Sequence, residues 1–324
     1  MMNMLDKIFP ALRSGKHRGL LAIEWIALVY MAVTTMLVMV LWDDLRNPVE
    51  MLVGRGFILG GTALLWFLYA LRPCRLTLFA RVTTQMSLLA YWYPETYEFN
   101  SVFQNLDHLF AEWEQILFGG QPSLWFSEVC PEVWFSEPFN MGYFAYYPMI
   151  LLVSLFYFFC RYAQYEKATF IIMCSFFIYY FIYIFVPVVG PQFYFQAIGL
   201  ENASHGNFPE MGTYFAQHTE MLPAPGDSEG FFYNLVGNAQ ASGERPTAAF
   251  PSSHIGISGI LMILAFRSSR KLAWVMMPFF VLLCCATVYI QAHYLIDAIA
   301  GIISAPLIYL CSKGIYQIAF ERKK

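Results

Sequence analysis

Apolar runs recur along the chain between short polar breaks, and their lengths match the roughly 20 residues a helix needs to cross the hydrocarbon core of a bilayer. Eight runs qualify: 19–42, 51–71, 76–93, 141–160, 168–189, 251–266, 272–292 and 294–314. The third is weakened by polar residues. The sixth is short by about a turn, so its helix is expected to extend beyond the apolar core. Two stretches, 94–140 and 190–250, are too long for simple turns and read as structured outer segments. The pattern predicts an all-α, polytopic membrane helix bundle of about eight transmembrane helices. An even count puts both termini on one side.

Composition agrees: of 324 residues, 58% are hydrophobic and only 13% charged, far from the balance of a soluble domain. A net charge of -3 supplies no basic field, so nucleic acid is excluded as an expected partner. Charge is informative by location instead. Fifteen of the 19 basic residues fall at the termini or between even and odd spans, among them Arg72, Arg75, Arg161, Lys167, Arg267, Arg270 and Lys271. The opposite loops hold only Arg46 and Arg245, together with 17 of the 22 acidic residues. Short cytoplasmic loops are enriched in Lys and Arg, so the expected topology has eight crossings with cytoplasmic termini. The basic, amphipathic residues 1–19 lack a cleavage site and read as a retained segment on the cytoplasmic surface. The outer side is then the periplasmic face of a bacterial inner membrane, or a luminal face. The seven cysteines show neither a disulfide framework nor zinc-ligand spacing.

Within the outer segments, Phe103, Leu106, Phe110, Trp113 and Leu117 recur at helical spacing and predict an amphipathic helix lying in the interface. Asp107, His108, Glu112 and Glu114 read as its solvated face. Residues 191–250 are rich in Gly, Pro and Asn and are expected to be irregular. Glu24, Arg55 and Arg81 lie inside spans, where charge is costly. Glu24 and Arg55 are expected to pair between the first two helices, with Arg81 snorkelling to the headgroups. A pathway of such charges is the signature of a lipid or solute carrier, the non-enzyme alternative.

Two of the six histidines sit at predicted outer helix ends in distinctive company, RPTAAFPSSHIGIS around His254 and YIQAHYLIDAIAG around His293. On a helix, Asp297 lies one turn beyond His293 and is placed to hold an imidazole N–H, leaving the other ring nitrogen free as a nucleophile. Alone, that spacing also fits a structural hydrogen-bonded pair. His254 falls in the first turn of a helix after Ser252 and Ser253, where free N–H groups attract phosphate and an imidazole can act as acid and base. Both motifs at the same membrane face favour a site over a carrier pathway.

PSSH followed about forty residues later by HYLIDAIAG resembles the second and third signature motifs of the type 2 phosphatidic acid phosphatase superfamily. The resemblance implies a six-helix core over residues 76–324, preceded in 1–75 by the amphipathic segment and two additional helices. It also implies phosphoryl transfer through a phosphohistidine, with His293 as nucleophile, Asp297 as its partner and His254 as acid/base. The family's first motif carries a lysine and an arginine-proline pair, whereas this chain reads VPVVGPQFYF after the fifth span. Thr287 replaces the arginine that precedes the family's nucleophile. These departures look more like the inositol phosphorylceramide synthase branch, which moves a phosphorylated headgroup to a lipid hydroxyl. Arg245, Ser252, Ser253, Gln192 and Tyr194 are then the candidate phosphate contacts. Phospholipid or sphingolipid substrates are implied, and the histidine chemistry calls for no metal or cofactor. A lipid phosphate phosphatase built on the same residues is the alternative.

Overall fold

The computed structural model describes residues 19–321 apart from Ala248. The basic residues of the expected amphipathic N-terminal segment, Lys7, Arg13, Lys16 and Arg18, lie outside the described residues, as do Arg322, Lys323 and Lys324. The fold is helical: α1 (Ala22–Val40), α2 (Pro48–Leu71), α3 (Arg75–Ser87), α4 (Leu89–Asn100), α5 (Asp107–Phe118), α6 (Pro122–Val129), α7 (Val133–Phe144), α8 (Tyr146–Cys160), α9 (Tyr165–Phe185), α10 (Pro191–Ile198), α11 (Leu200–Ser204), α12 (Phe231–Gly243), α13 (Ser253–Ser268), α14 (Arg270–Tyr289) and α15 (Leu295–Tyr316).

Five of these helices, α1, α2, α9, α14 and α15, are long and apolar enough to cross a membrane alone, and the pair α7–α8, bent by 42° at Ala145, makes a sixth. Long apolar helices of this kind match an integral membrane protein. The expected count of eight is not confirmed, because two of the runs do not form a single helix of that length. The third breaks at Leu88 into α3 and α4, and the sixth forms only the 16-residue α13. At 1.5 Å per residue α13 is about 24 Å long, less than the roughly 30 Å of a hydrocarbon core.

Helix α9 is the central element, packing against α1, α4, α8, α13 and α15. It is apolar all round, as a helix enclosed by others must be, and Tyr30 of α1 stacks on its Phe177 with ring centroids 4.1 Å apart. Helices α1 and α2 are joined to this core by two buried ion pairs that differ from the expected one. Glu24 of α1 accepts from Arg81 of α3 (Nε to Oε1, 2.7 Å), and Arg55 of α2 forms a bidentate pair with Glu95 of α4 (2.6 and 3.0 Å). Arg81 is fully buried rather than snorkelling. Each additional helix thus contributes one charge whose partner lies on α3–α4, because an unpaired charge in this interior would cost several kcal/mol.

The outer segments also depart from expectation. Residues 191–250 are partly helical, with α10 and α12 among them. Helix α5 forms as predicted but begins at Asp107, after Phe103 and Leu106, and its polarity is inverted. Asp107 and Glu114 are fully buried, whereas Trp113, Ile116 and Leu117 are exposed. His108 is only partly covered and Glu112 is exposed. The acids turn inward because they satisfy backbone donors of the site described below.

Candidate active site

His254 is placed by the start of α13. Ser252 is its N-cap, with Oγ accepting from the Ile255 N–H at 3.5 Å. The Tyr183 hydroxyl donates to the Pro251 carbonyl and accepts from the Ser253 N–H (3.0 and 2.9 Å), which secures the turn before the helix. The His254 ring stacks on Tyr143 with centroids 4.7 Å apart and leans on Tyr146 at 4.5 Å. Its third ring neighbour is His293, edge-on at 5.7 Å.

His293 lies in the turn between α14 and α15 rather than on a helix with Asp297. That turn passes through Gln291 at φ 62°, an unusual conformation for a residue with a side chain. The imidazole Nδ1 is 2.8 Å from the Ala249 carbonyl. A carbonyl only accepts, so Nδ1 carries the proton and Nε2 keeps its lone pair. Asp297 therefore does not hold the imidazole by the expected hydrogen bond. Its Oδ2 is 3.8 Å from Nδ1 and instead accepts from the Tyr294 N–H at 2.9 Å, capping the first turn of α15. The buried carboxylate remains an electrostatic neighbour of the ring, and its Oδ1 has no hydrogen-bond partner among the described residues.

Three distant segments are joined by backbone hydrogen bonds around these side chains. Ala249 N–H donates to Val188 O (3.0 Å), Gln192 N–H to Gln291 O (2.8 Å) and Ser252 N–H to Asp297 O (3.1 Å). Gly190, at φ 92°, closes the junction, since a Cβ there would lie 2.5 Å from the Ala292 carbonyl. Gly301 does the same between α13 and α15, where a Cβ would lie 2.7 Å from the Ser252 carbonyl.

Asp107 fastens the arrangement from α5. Its carboxylate accepts from Val189 N–H (2.7 Å), Gly190 N–H (2.9 Å), the Tyr294 hydroxyl (3.0 Å) and Asn105 Nδ2 (2.6 Å). Burial pushes its carboxyl up to about 6, with those donors opposing the shift. Seven residues on, Glu114 accepts from Ile296 N–H at 3.0 Å and so caps α15. Burial pushes Glu114 up to about 8, and the charge of Asp297 adds to the effect. Sequence reading assigned both acids to a solvated face. Their spacing of seven, which puts them on one side of α5, was the available signal.

The sequence profile of the PAP2 superfamily matches residues 109–311, more than half of the chain, from within α5 to within α15, with His254, His293, Asp297 and Glu114 inside the match and Asp107 just before it. The chain belongs to the PAP2 superfamily. No curated protein and no solved structure gives a significant match. Members of the superfamily are phosphoryl-transfer enzymes, so this protein is a PAP2 phosphatase or phosphotransferase acting on lipid phosphates.

The other candidate residues of this PAP2 protein are distributed unevenly. Ser253 lines a cavity beside His254, and Ser252 is buried behind it. Gln192 is buried, its Oε1 accepting from Gln240 at 3.3 Å. Tyr194 is not brought to the histidines, because its hydroxyl donates to the Pro209 carbonyl at 2.9 Å. Nor is Arg245, whose exposed side chain donates to the Glu244 carbonyl at 3.2 Å. The expectation that these two contact phosphate has no geometric support here. Glu244 itself, unassigned by sequence reading, lines the cavity with His254, and burial pushes its carboxyl up to about 7 against the opposing influence of His293.

Proposed function

We propose that the protein is a lipid phosphotransferase that moves a phosphorylated headgroup to a lipid hydroxyl through a phosphohistidine, in the manner of inositol phosphorylceramide synthases. The observation that carries this reading is the His254–His293 pair, with rings 5.7 Å apart and His293 Nδ1 engaged by a carbonyl. Nε2 of His293 attacks phosphorus, and the bond to the departing lipid oxygen breaks as that oxygen takes a proton from His254. In the second half, His254 removes the proton of the incoming hydroxyl while its oxygen displaces the histidine nitrogen. Asp297, close but not hydrogen-bonded, stabilises the positive charge that develops on the His293 ring. Ser252, Ser253 and Gln192 are the proposed phosphate contacts, supported by the N-terminus of α13.

Two features favour transfer to a lipid over hydrolysis. The cavity that reaches His254 is lined mainly by apolar and aromatic side chains, and the VPVVGP loop departs from the cation-bearing pattern of the phosphatases. The orientation is proposed from charge. Arg75 lies over the Tyr162 ring, Arg161 donates to the Ser268 carbonyl and Lys167 pairs with Glu321, so these basic residues gather at the helix ends remote from the histidines. That end would be cytoplasmic, and the site would face the periplasm or a lumen.

The test is to incubate purified protein in lipid with labelled phosphatidylinositol or phosphatidic acid, with and without ceramide or diacylglycerol, beside His293→Ala. Headgroup on the acceptor supports the transferase. Free phosphate as the sole His293-dependent product assigns the phosphatase.

A further inference from the structure

A cavity of about 560 Å³ runs from His254 between α3–α4 on one side and α8 on the other, within the range of sites that hold small ligands. Its polar end is formed by His254, Ser253, Glu244 and Gln240, and its body by side chains such as Met86, Ile150 and Leu155. Thr83, Ser87 and Ala90, small residues on one face of α3–α4, line one wall, and Tyr147 and Leu151 of α8 line the other. All five are exposed, so the cavity opens sideways on the surface of the bundle. His293 does not line it. The reacting centre therefore has two sides, with the histidine nucleophile on one and the cavity, reached through His254, on the other.

We propose that this cavity is the binding site of a neutral, hydroxyl-bearing lipid, with its hydroxyl between His254 and Glu244 and a hydrocarbon chain along α3–α4 and α8. The leaving lipid alcohol and the acceptor occupy it in turn. This rests on the phosphotransferase reading and deepens it. His254 protonates the departing oxygen in the first half and deprotonates the incoming one in the second, so both oxygens must reach the same position beside the same ring. No proton is consumed over the cycle, because the one given by His254 to the first alcohol is recovered from the second.

Charge selects the occupant. Among the described residues no Lys or Arg lines the cavity, and Glu244 is the one carboxylate that does. A phosphate monoester drawn into the polar end would meet the carboxyl group of Glu244 and no lysine or arginine, whereas a hydroxyl or amide N–H can donate to a Glu244 oxygen in either protonation state. An apolar body with one polar end suits an amphiphile that enters from the bilayer, its remaining chain left outside through the lateral opening.

The experiment uses the full chain with His293→Ala, which cannot turn over, in phosphatidylcholine nanodiscs with a diacylglycerol carrying a photoactivatable diazirine on one chain. Crosslinks are expected on peptides containing Met86, Ile150 and Leu155, competed by unlabelled diacylglycerol or ceramide. Ala90→Phe, at the exposed wall, should reduce this labelling at least tenfold, as should Ser154→Phe deeper in the cavity. Val29→Phe, on the exposed face of α1, should leave it unchanged. Labelling spread over α1 and α2 as strongly as over the cavity, or labelling that unlabelled diacylglycerol fails to compete, would overturn the proposal. Because the probe needs no turnover, crosslinking that persists while wild-type protein transfers no headgroup refutes the transferase reading and leaves the lipid site standing. Headgroup transfer without cavity labelling does the reverse.

Discussion

Asp107→Asn is the most searching test of how the site is held, because the substitution keeps the shape of the side chain and changes only its charge and one acceptor. The carboxylate receives two donors on each oxygen, Val189 N–H and Asn105 Nδ2 on Oδ2, Gly190 N–H and the Tyr294 hydroxyl on Oδ1. In the more favourable orientation, the new amide nitrogen replaces Oδ1. Tyr294 then reverses its hydroxyl to accept, but Gly190 N–H faces another donor. One buried unsatisfied N–H costs about 1–3 kcal/mol, and exchanging charged for neutral hydrogen bonds to Oδ2 adds to it. A total near 3 kcal/mol is expected. Asp107→Ala strands all four donors and should cost ~4 kcal/mol or more. Gly190 abuts the Ala292 carbonyl, one residue from His293. A loosened loop would therefore displace the nucleophile, and a displacement of about 1 Å can cost roughly 10²-fold in rate. Thermal melts of the purified protein in nanodiscs, paired with turnover of labelled phosphatidic acid, measure both effects. An Asp107→Asn protein with wild-type melting and wild-type turnover would refute the clamp.

The Arg55–Glu95 pair should behave as a buried ion pair: Arg55→Met alone costs about 3–5 kcal/mol, whereas Arg55→Met with Glu95→Met melts within about 1 kcal/mol of wild type, a double-mutant cycle being the check. Glu114 makes stability depend on pH. Its folded pKa of about 8 exceeds the ordinary glutamate value of 4.5, so the stabilisation present at low pH is lost as pH rises through this window. Glu114→Gln keeps an acceptor for Ile296 N–H and should flatten the melting curve against pH between those values; an unchanged slope would refute the assignment. Gly190→Ala combines a strained φ with a clash at the Ala292 carbonyl and should lower both the melting midpoint and turnover, at about 1–3 kcal/mol for the backbone alone.

Periodicity and charge determine much of this protein without any coordinates. The helical class follows from apolar run length, because an uninterrupted helix is the way such a run satisfies its backbone in lipid. The two histidine motifs could be found because their residues are close in sequence, and His254 does fall in the first turn of a helix capped by Ser252. What sequence distance hides is the assembly. Whether Arg55 meets Glu24 or Glu95, and whether Arg81 is buried or snorkels, depends on which helices pack together. His293 and Asp297 have the right spacing for a pair on one helix, yet the chain turns at Gln291 and begins α15 only at Leu295. A carbonyl 44 residues away takes the imidazole N–H, and the carboxylate caps the helix instead. Asp107 and Glu114 show the limit most clearly. The acids of an amphipathic helix read as facing water when water is assumed to lie on the polar side. Tertiary structure reverses it, because the backbone donors of the VPVVGP loop and of α15 lie against that face, and buried N–H groups bind a carboxylate in place of solvent.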